Sequence, residues 1–167
     1  MNSWSQVAIP PIDSTINWPA LSLTDSSTGK KASLESKPVY RMYVCGITPY
    51  DATHLGHAAT YLTFDLINRY LRATGSEVRY VQNITDIDDP LLERAHRDGI
   101  DWKDLAHQQI DLFRSDMVNL RVIPPADYIG AVEAIQLVTS AIQELSRKNS
   151  IYSVDQDLYF NVYSDKH

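Results

Sequence analysis

Residues 44–57 read VCGITPYDATHLGH, and most of the side chains able to do chemistry stand there. His54 and His57 flank Leu55-Gly56, and the only cysteine, Cys45, lies nine residues before His54. If a helix begins at the histidines, its first backbone N–H groups are unpaired and its dipole is positive at that end. Such a mouth accepts anions. Imidazoles three residues apart share one face, and Gly56 lets a flat ring or a phosphate come close to the backbone. Together these suit a triphosphate whose charge grows at the α-phosphorus. The same spacing also fits two cap histidines with no ligand. Cys45 reads either as a small buried hydrophobe or as a strand-end thiolate, a nucleophile or a zinc ligand. A structural zinc takes about four ligands, and no second cysteine exists to supply one.

A second polar stretch, NITDIDD at 83–89, places Asp86, Asp88 and Asp89 within four residues. They would suit a magnesium site for a pyrophosphate substrate. Asp88-Asp89-Pro90 also spells a helix start, with an acid cap and proline in the first turn, and that reading is preferred. Asp86 remains free to shape a crevice.

These residues need elements to hold them. Val39–Cys45 alternates as a strand, apolar on both faces as if covered on both sides. Gly46–Thr53 is a loop. Ala58, Tyr61, Leu62, Ile67 and Leu71 recur at helical spacing up to Thr74, and Gly75 is a natural stop. Tyr61, Phe64 and Tyr70 on that helix are expected in the core. Val78–Ile84 is a second strand. Asp101 caps a further helix with Leu105, Leu112, Phe113, Met117 and Leu120 as its buried stripe, and Trp102 packs back on the helix before it. His96 and His107 are expected in solvent. Tyr128–Lys148 reads as one amphipathic helix, and Ile151–Val162 as a hairpin or two short strands. Leu21-Ser22-Leu23 is a candidate edge strand before the polar link TDSSTGKK. Strand, helix, strand implies two parallel neighbours with a right-handed crossover. Ligands of open parallel sheets lie beyond the carboxyl ends of the strands. Cys45–Thr48 and Asn83–Asp86 are two such ends, expected side by side.

The chain has 167 residues, 44% of them apolar, and a formal net charge of −6. It can bury a core, and its acidity argues against a phosphate-backbone partner. No disulfide can form within it, no secretory pattern opens it and no run reaches the roughly 20 apolar residues of a membrane span. Cytosol is the expected compartment.

MYVCGITPYDATHLGHAATYLTFDLINRYL, with YVQNITDIDDPLLERA after it, resembles the opening of the catalytic domain of cysteine-activating class I synthetases. His54-Leu55-Gly56-His57 is similar to their HIGH signature, and Cys45-Gly46 to their zinc-binding strand end. The likeness spans residues 21–167 and is densest over 39–97. Two families share the frame: cysteinyl-tRNA synthetases and the mycothiol-pathway ligases, which join cysteine to the amine of glucosaminyl-inositol. The tRNA enzymes typically read C-G-P-T-V-Y-D and then H-I-G-H-A-R. This chain has Ile47 and Pro49 where those carry Pro and Val, Ala59 where they carry Arg, and Asp-Asp-Pro at 88–90 where they carry Asp-Asp-Lys. ITPYDATHLGHAATY resembles the ligases almost letter for letter, and the acidic charge agrees.

The resemblance implies an α/β fold, a Rossmann-like (HUP-type) parallel sheet with flanking helices, forming the N-terminal half of a class I synthetase catalytic domain. It implies an arm and edge strand over 1–37, the first half of the catalytic domain over 38–125, and the start of a connective insertion over 126–167. The implied substrates are L-cysteine, ATP with Mg2+, and glucosaminyl-inositol. One Zn2+ per full-length chain, held partly by Cys45, would bind the substrate thiolate and select it over a hydroxyl. His54 and His57 would be catalytic, stabilising charge at the α-phosphate. The adenylate would meet Cys45, Gly46, Ile47, Thr48, Gly56, Thr60, Asn83, Ile84 and Thr85. A monomer, no nucleic acid and no membrane are expected. The family's remaining zinc ligands and its KMSKS-like loop have no counterpart here, so the chain reads as a fragment inactive by itself. Rival readings are a cysteinyl-tRNA synthetase fragment, a non-enzymatic nucleotide-binding remnant and, more distantly, a magnesium-dependent pyrophosphate enzyme.

Overall fold

In the computed structural model, residues 1–11, 13 and 15–165 are described; Lys166 and His167, read above as part of the insertion, lie outside them. Three strands make the central sheet: β3 (Val39–Val44), β4 (Glu77–Ile84) and β5 (Asp127–Gly130), all parallel in the order β3-β4-β5. Helix α1 (Leu55–Ala73) connects β3 to β4, as the crossover rule requires. Two helices, α2 (Asp89–Asp98) and α3 (Trp102–Asn119), connect β4 to β5. Asp88 and Asp101 cap them through their carboxylates, the first with Pro90 in the opening turn.

The core lies on one face of the sheet. Met42, Val44, Tyr80, Ile84 and Tyr128 point inward and meet Tyr61 of α1 with Ile110, Phe113 and Met117 of α3. Because both helices pack on that face, the opposite one is left open: Arg41, Tyr43, Arg79 and Ile129 are exposed, Tyr43 by 63%. The expectation of a strand covered on both sides is thereby corrected. Apolar Tyr43 and Val81 had suggested burial, but no described element lies over them. The stripe of α3 is also corrected: Ile110 is buried, while Leu112 and Leu120 are exposed. Tyr61 is buried as expected, whereas Phe64 and Tyr70 are only half-buried. Trp102 packs on α2 through Leu91 and Ala95, and His96 and His107 are exposed.

Residues 128–130 are strand rather than helix. Tyr128 pairs in register with Gln82 and is buried, so the helix α4 begins only at Ala131 and runs to Arg147. Four residues after Pro125 pair better with the exposed edge of β4 than they could extend a helix N-terminally. No residue of α4 is buried. The hairpin β6 (Ile151–Val154) and β7 (Asp157–Phe160) forms as read. Ser22–Asp25 (β1) does not edge the main sheet. It pairs antiparallel with β2 (Lys30–Ser33), and TDSSTGKK supplies the turn.

The N-terminal arm is a structural part that composition did not reveal. Trp4 is 6% exposed, sits edge-on to Phe113 and Tyr128, and donates Nε1–H to the Val122 carbonyl at 2.8 Å. Farther along, Trp18 meets Tyr70 edge-on, and arm and α1 enclose an open cavity of about 560 Å³.

Candidate active site

The carboxyl ends of β3 and β4 are stitched together. Asn83 Oδ1 accepts the Gly46 N–H and the Tyr43 hydroxyl, each at 2.9 Å. Thr85 N–H donates to the Ile47 carbonyl at 3.0 Å. The approach is so close that a Cβ on Gly46 would stand 1.6 Å from the Asn83 carbonyl oxygen. Glycine is therefore required at 46 by the neighbouring backbone. Tyr43, half of this clasp, was not singled out by sequence; an exposed strand tyrosine carries no signal of its partner forty residues on.

Helix α1 joins the stitched ends through Tyr61, whose hydroxyl donates to the Cys45 carbonyl at 3.2 Å. Burial raises the Tyr61 phenol well above its ordinary range, so it stays a donor. Tyr61 lies four residues after His57, on the same helix face. Cys45 is exposed, which removes the reading as a buried hydrophobe.

His54 is the N-cap of α1, and its side chain accepts the Gly56 N–H at 3.0 Å. His57 reaches back to accept the His54 N–H at 3.2 Å, and the rings stand 4.1 Å apart. The cap reading is therefore realised, and the exposed His54 imidazole still borders open space. A cavity of about 460 Å³ beside His54 is lined also by Thr53, Ala58, Asp116 and Met117. Burial, and then His54, hold the His57 imidazole below its ordinary value. Thr53 donates to Asp116 at 2.5 Å, tying the start of α1 to α3.

The remaining expected site residues divide by burial. Ile47 and Ile84 are core residues, 4% and 0% exposed, so they can offer a ligand only backbone atoms. Thr60 is exposed, with its hydroxyl on the Gly56 carbonyl at 3.1 Å. Thr48 lies 3.4 Å from Asp88, whose other oxygen caps α2 at 3.0 Å. Asp86 accepts Val132 N–H at 2.9 Å and so starts α4. Asp88 thus serves a helix start, the reading preferred above, whereas Asp86, expected to shape a crevice, is engaged at the start of α4. Among the described residues no group of three or more His, Cys, Asp or Glu side chains is placed to hold a metal. Cys45 is a single soft donor, and these residues do not complete a zinc site.

A parallel sheet whose strand ends stand beside a histidine-capped helix is the kind of α/β frame that places ligands beyond the carboxyl ends of its strands. The profile of the family described as "tRNA synthetases class I (C) catalytic domain" matches residues 31–167, and the chain belongs to that family. It is 58% identical over 165 residues to the L-cysteine:1D-myo-inositol 2-amino-2-deoxy-alpha-D-glucopyranoside ligase of Nakamurella multipartita, covering 99% of this chain and 40% of the relative. The ligase of the same name from a Parafrankia species is 59% identical over 142 residues, 85% of this chain and 32% of the relative. The chain therefore spans about 40% of the length of relatives such as the first. A methionyl-tRNA synthetase of Mycobacterium tuberculosis, solved with methionyl-adenylate, shares the fold at a TM-score of 0.63. It is 23% identical, over 70% of this chain and 23% of that one.

Proposed function

We infer that this chain supplies part of the cysteine-activating site of an ATP-dependent ligase that joins L-cysteine to the amine of glucosaminyl-inositol. The observation that carries the reading is the clasp of β3 and β4 ends, tied by Tyr61 to a helix whose cap is two histidines. The relatives' names supply cysteine and the amino sugar as substrates. In this reading the cysteine carboxylate attacks the α-phosphorus of ATP and pyrophosphate leaves. The amine then attacks the acyl carbon, and AMP leaves as the amide forms. His54 and His57, with the positive end of the α1 dipole, stabilise charge on the α-phosphate. Backbone at Gly46–Thr48 and Asn83–Thr85 and the Thr60 hydroxyl hold the adenylate. Cys45 offers a zinc ion one bond, and no step is routed through that ion. The compartment is the cytosol, in keeping with a single exposed thiol; no described helix is long and apolar enough to cross a membrane.

Calorimetric titration of the chain with a non-hydrolysable cysteinyl-adenylate mimic tests the reading. Saturable binding that weakens at least about tenfold, or ~1.4 kcal/mol, in a His54→Ala/His57→Ala double variant is expected. No binding to the folded chain leaves a decayed remnant instead. In an ATP–pyrophosphate exchange assay the chain by itself is expected to be inactive with cysteine.

A further inference from the structure

The clasp between β3 and β4 fixes which half of the Asn83 carboxamide is spent and which is left over. A backbone N–H can only donate, so the Asn83 atom that meets the Gly46 N–H is Oδ1. The Tyr43 hydroxyl reaches the same atom at 2.9 Å and therefore donates to it. A carboxamide oxygen has two lone pairs, and both are then in use. Turning the amide over would set Nδ2 against the Gly46 N–H, donor facing donor. Nδ2 accordingly lies on the other side of the amide, with Thr85 Oγ1 at 3.4 Å, near the long limit of a hydrogen bond. Nδ2 carries two N–H groups, so at least one is left without a taker in the clasp.

Burial does not account for Tyr43. It is 63% exposed on the open face of the sheet. Among the described residues its hydroxyl makes one hydrogen bond, to Asn83, forty residues on. The register explains the reach. Tyr43 is opposite Val81 in the parallel ladder, and Asn83 is the next residue of β4 on the same face. The absent Cβ of Gly46 lets a second donor share the acceptor. Without the phenol, Oδ1 would keep a free lone pair, and the side chain would offer an acceptor beside its donors. With the phenol it offers donors alone.

We propose that Tyr43 is a positioning residue, whose hydroxyl holds the Asn83 carboxamide as a donor-only contact for an acceptor atom of the ligand, an oxygen or an unprotonated ring nitrogen. That the ligand is the cysteinyl-adenylate rests on the reading above; the hold on Asn83 does not. The result is selection by polarity. An ammonium group finds no acceptor in the Asn83 side chain, so the α-ammonium of cysteine is met by other groups.

Nitrogen-15 relaxation of the Asn83 side-chain NH2 in the ligand-free chain reads the hold. Asn83→Asp assigns the signal by removing it, while its carboxylate still accepts from Gly46 and Tyr43. The carboxamide is expected to be as rigid as the β4 backbone, and clearly more mobile in Tyr43→Phe, whose urea midpoint stays nearly unchanged because the ring is exposed. Equal mobility in the two proteins overturns the proposal. Calorimetric titration with the cysteinyl-adenylate mimic reads the contact. Tyr43→Phe is expected to weaken binding roughly three- to tenfold, the worth of one hydrogen bond. Added to Asn83→Asp, which has no amide to hold, it is expected to have no further effect. An equal loss in both backgrounds would mean that the phenol acts on the ligand directly; that result, or no loss in either, overturns the proposal. Should the mimic not bind the chain at all, the nucleotide reading falls by itself, and relaxation still upholds or overturns the hold.

Discussion

At the scale of single residues the site depends on groups that each meet a strict local demand. Gly46 has no room for a Cβ, and His54 and His57 both accept from backbone, His54 while lining a cavity. Replacing a capping side chain by alanine costs about 1 kcal/mol, so His54→Ala is expected to lower the urea midpoint accordingly. The His57 contribution has a definite pH dependence. Its folded value is depressed, so the fold favours the neutral ring. That stability is complete above the ordinary value of about 6.5 and is lost as pH falls through the lowered folded value. The gap in stability between the chain and His57→Ala is therefore expected to narrow between about pH 8 and about pH 5. A gap that widens in acid would mean that the folded state favours the cation.

At the scale of elements, the order of strands and helices around the site was legible because each rests on short-range rules. Asp88-Asp89-Pro90, Asp101 and Gly75 punctuate helices by chemistry that acts within a turn. What was not legible depends on long-range pairing. Residues 128–130 carry an apolar pattern that suits either element, and β4's free edge decides for strand. The stripe of α3 lost Leu112 and Leu120 because periodicity marks a face without saying how wide a face the neighbours cover. Asp65 was invisible for the same reason, being a carboxylate inside an apolar helix face. It is 7% exposed, accepts the Ile123 N–H at 2.8 Å and pairs with Arg69 at 2.6 Å, so it fastens α1 to the turn before β5. Asp65→Ala leaves a buried N–H without its acceptor and a cation without its partner. A loss of about 2–3 kcal/mol is expected in chemical denaturation, toward the low end for a buried pair because Arg69 is partly solvated.

At the scale of the whole molecule, one sheet face carries the core and an N-terminal arm closes it. Trp4 joins that core through Phe113, Tyr128 and the Val122 carbonyl, although the composition of residues 1–37 reads as an irregular lead. Trp4→Ala is expected to cost about 3–5 kcal/mol, measured by thermal or urea unfolding; a change within 0.5 kcal/mol, roughly the surface level, would show the arm to be dispensable. The site itself belongs to this scale, since it exists only where two strand ends and one helix mouth converge. Amide-shift mapping of the chain with the cysteinyl-adenylate mimic tests that convergence most directly. The account predicts that the shifts concentrate at Gly46–Thr48, Gly56–Thr60 and Asn83–Thr85 together. Shifts confined to the cavity under the N-terminal arm, or at one of the three segments without the others, would contradict it.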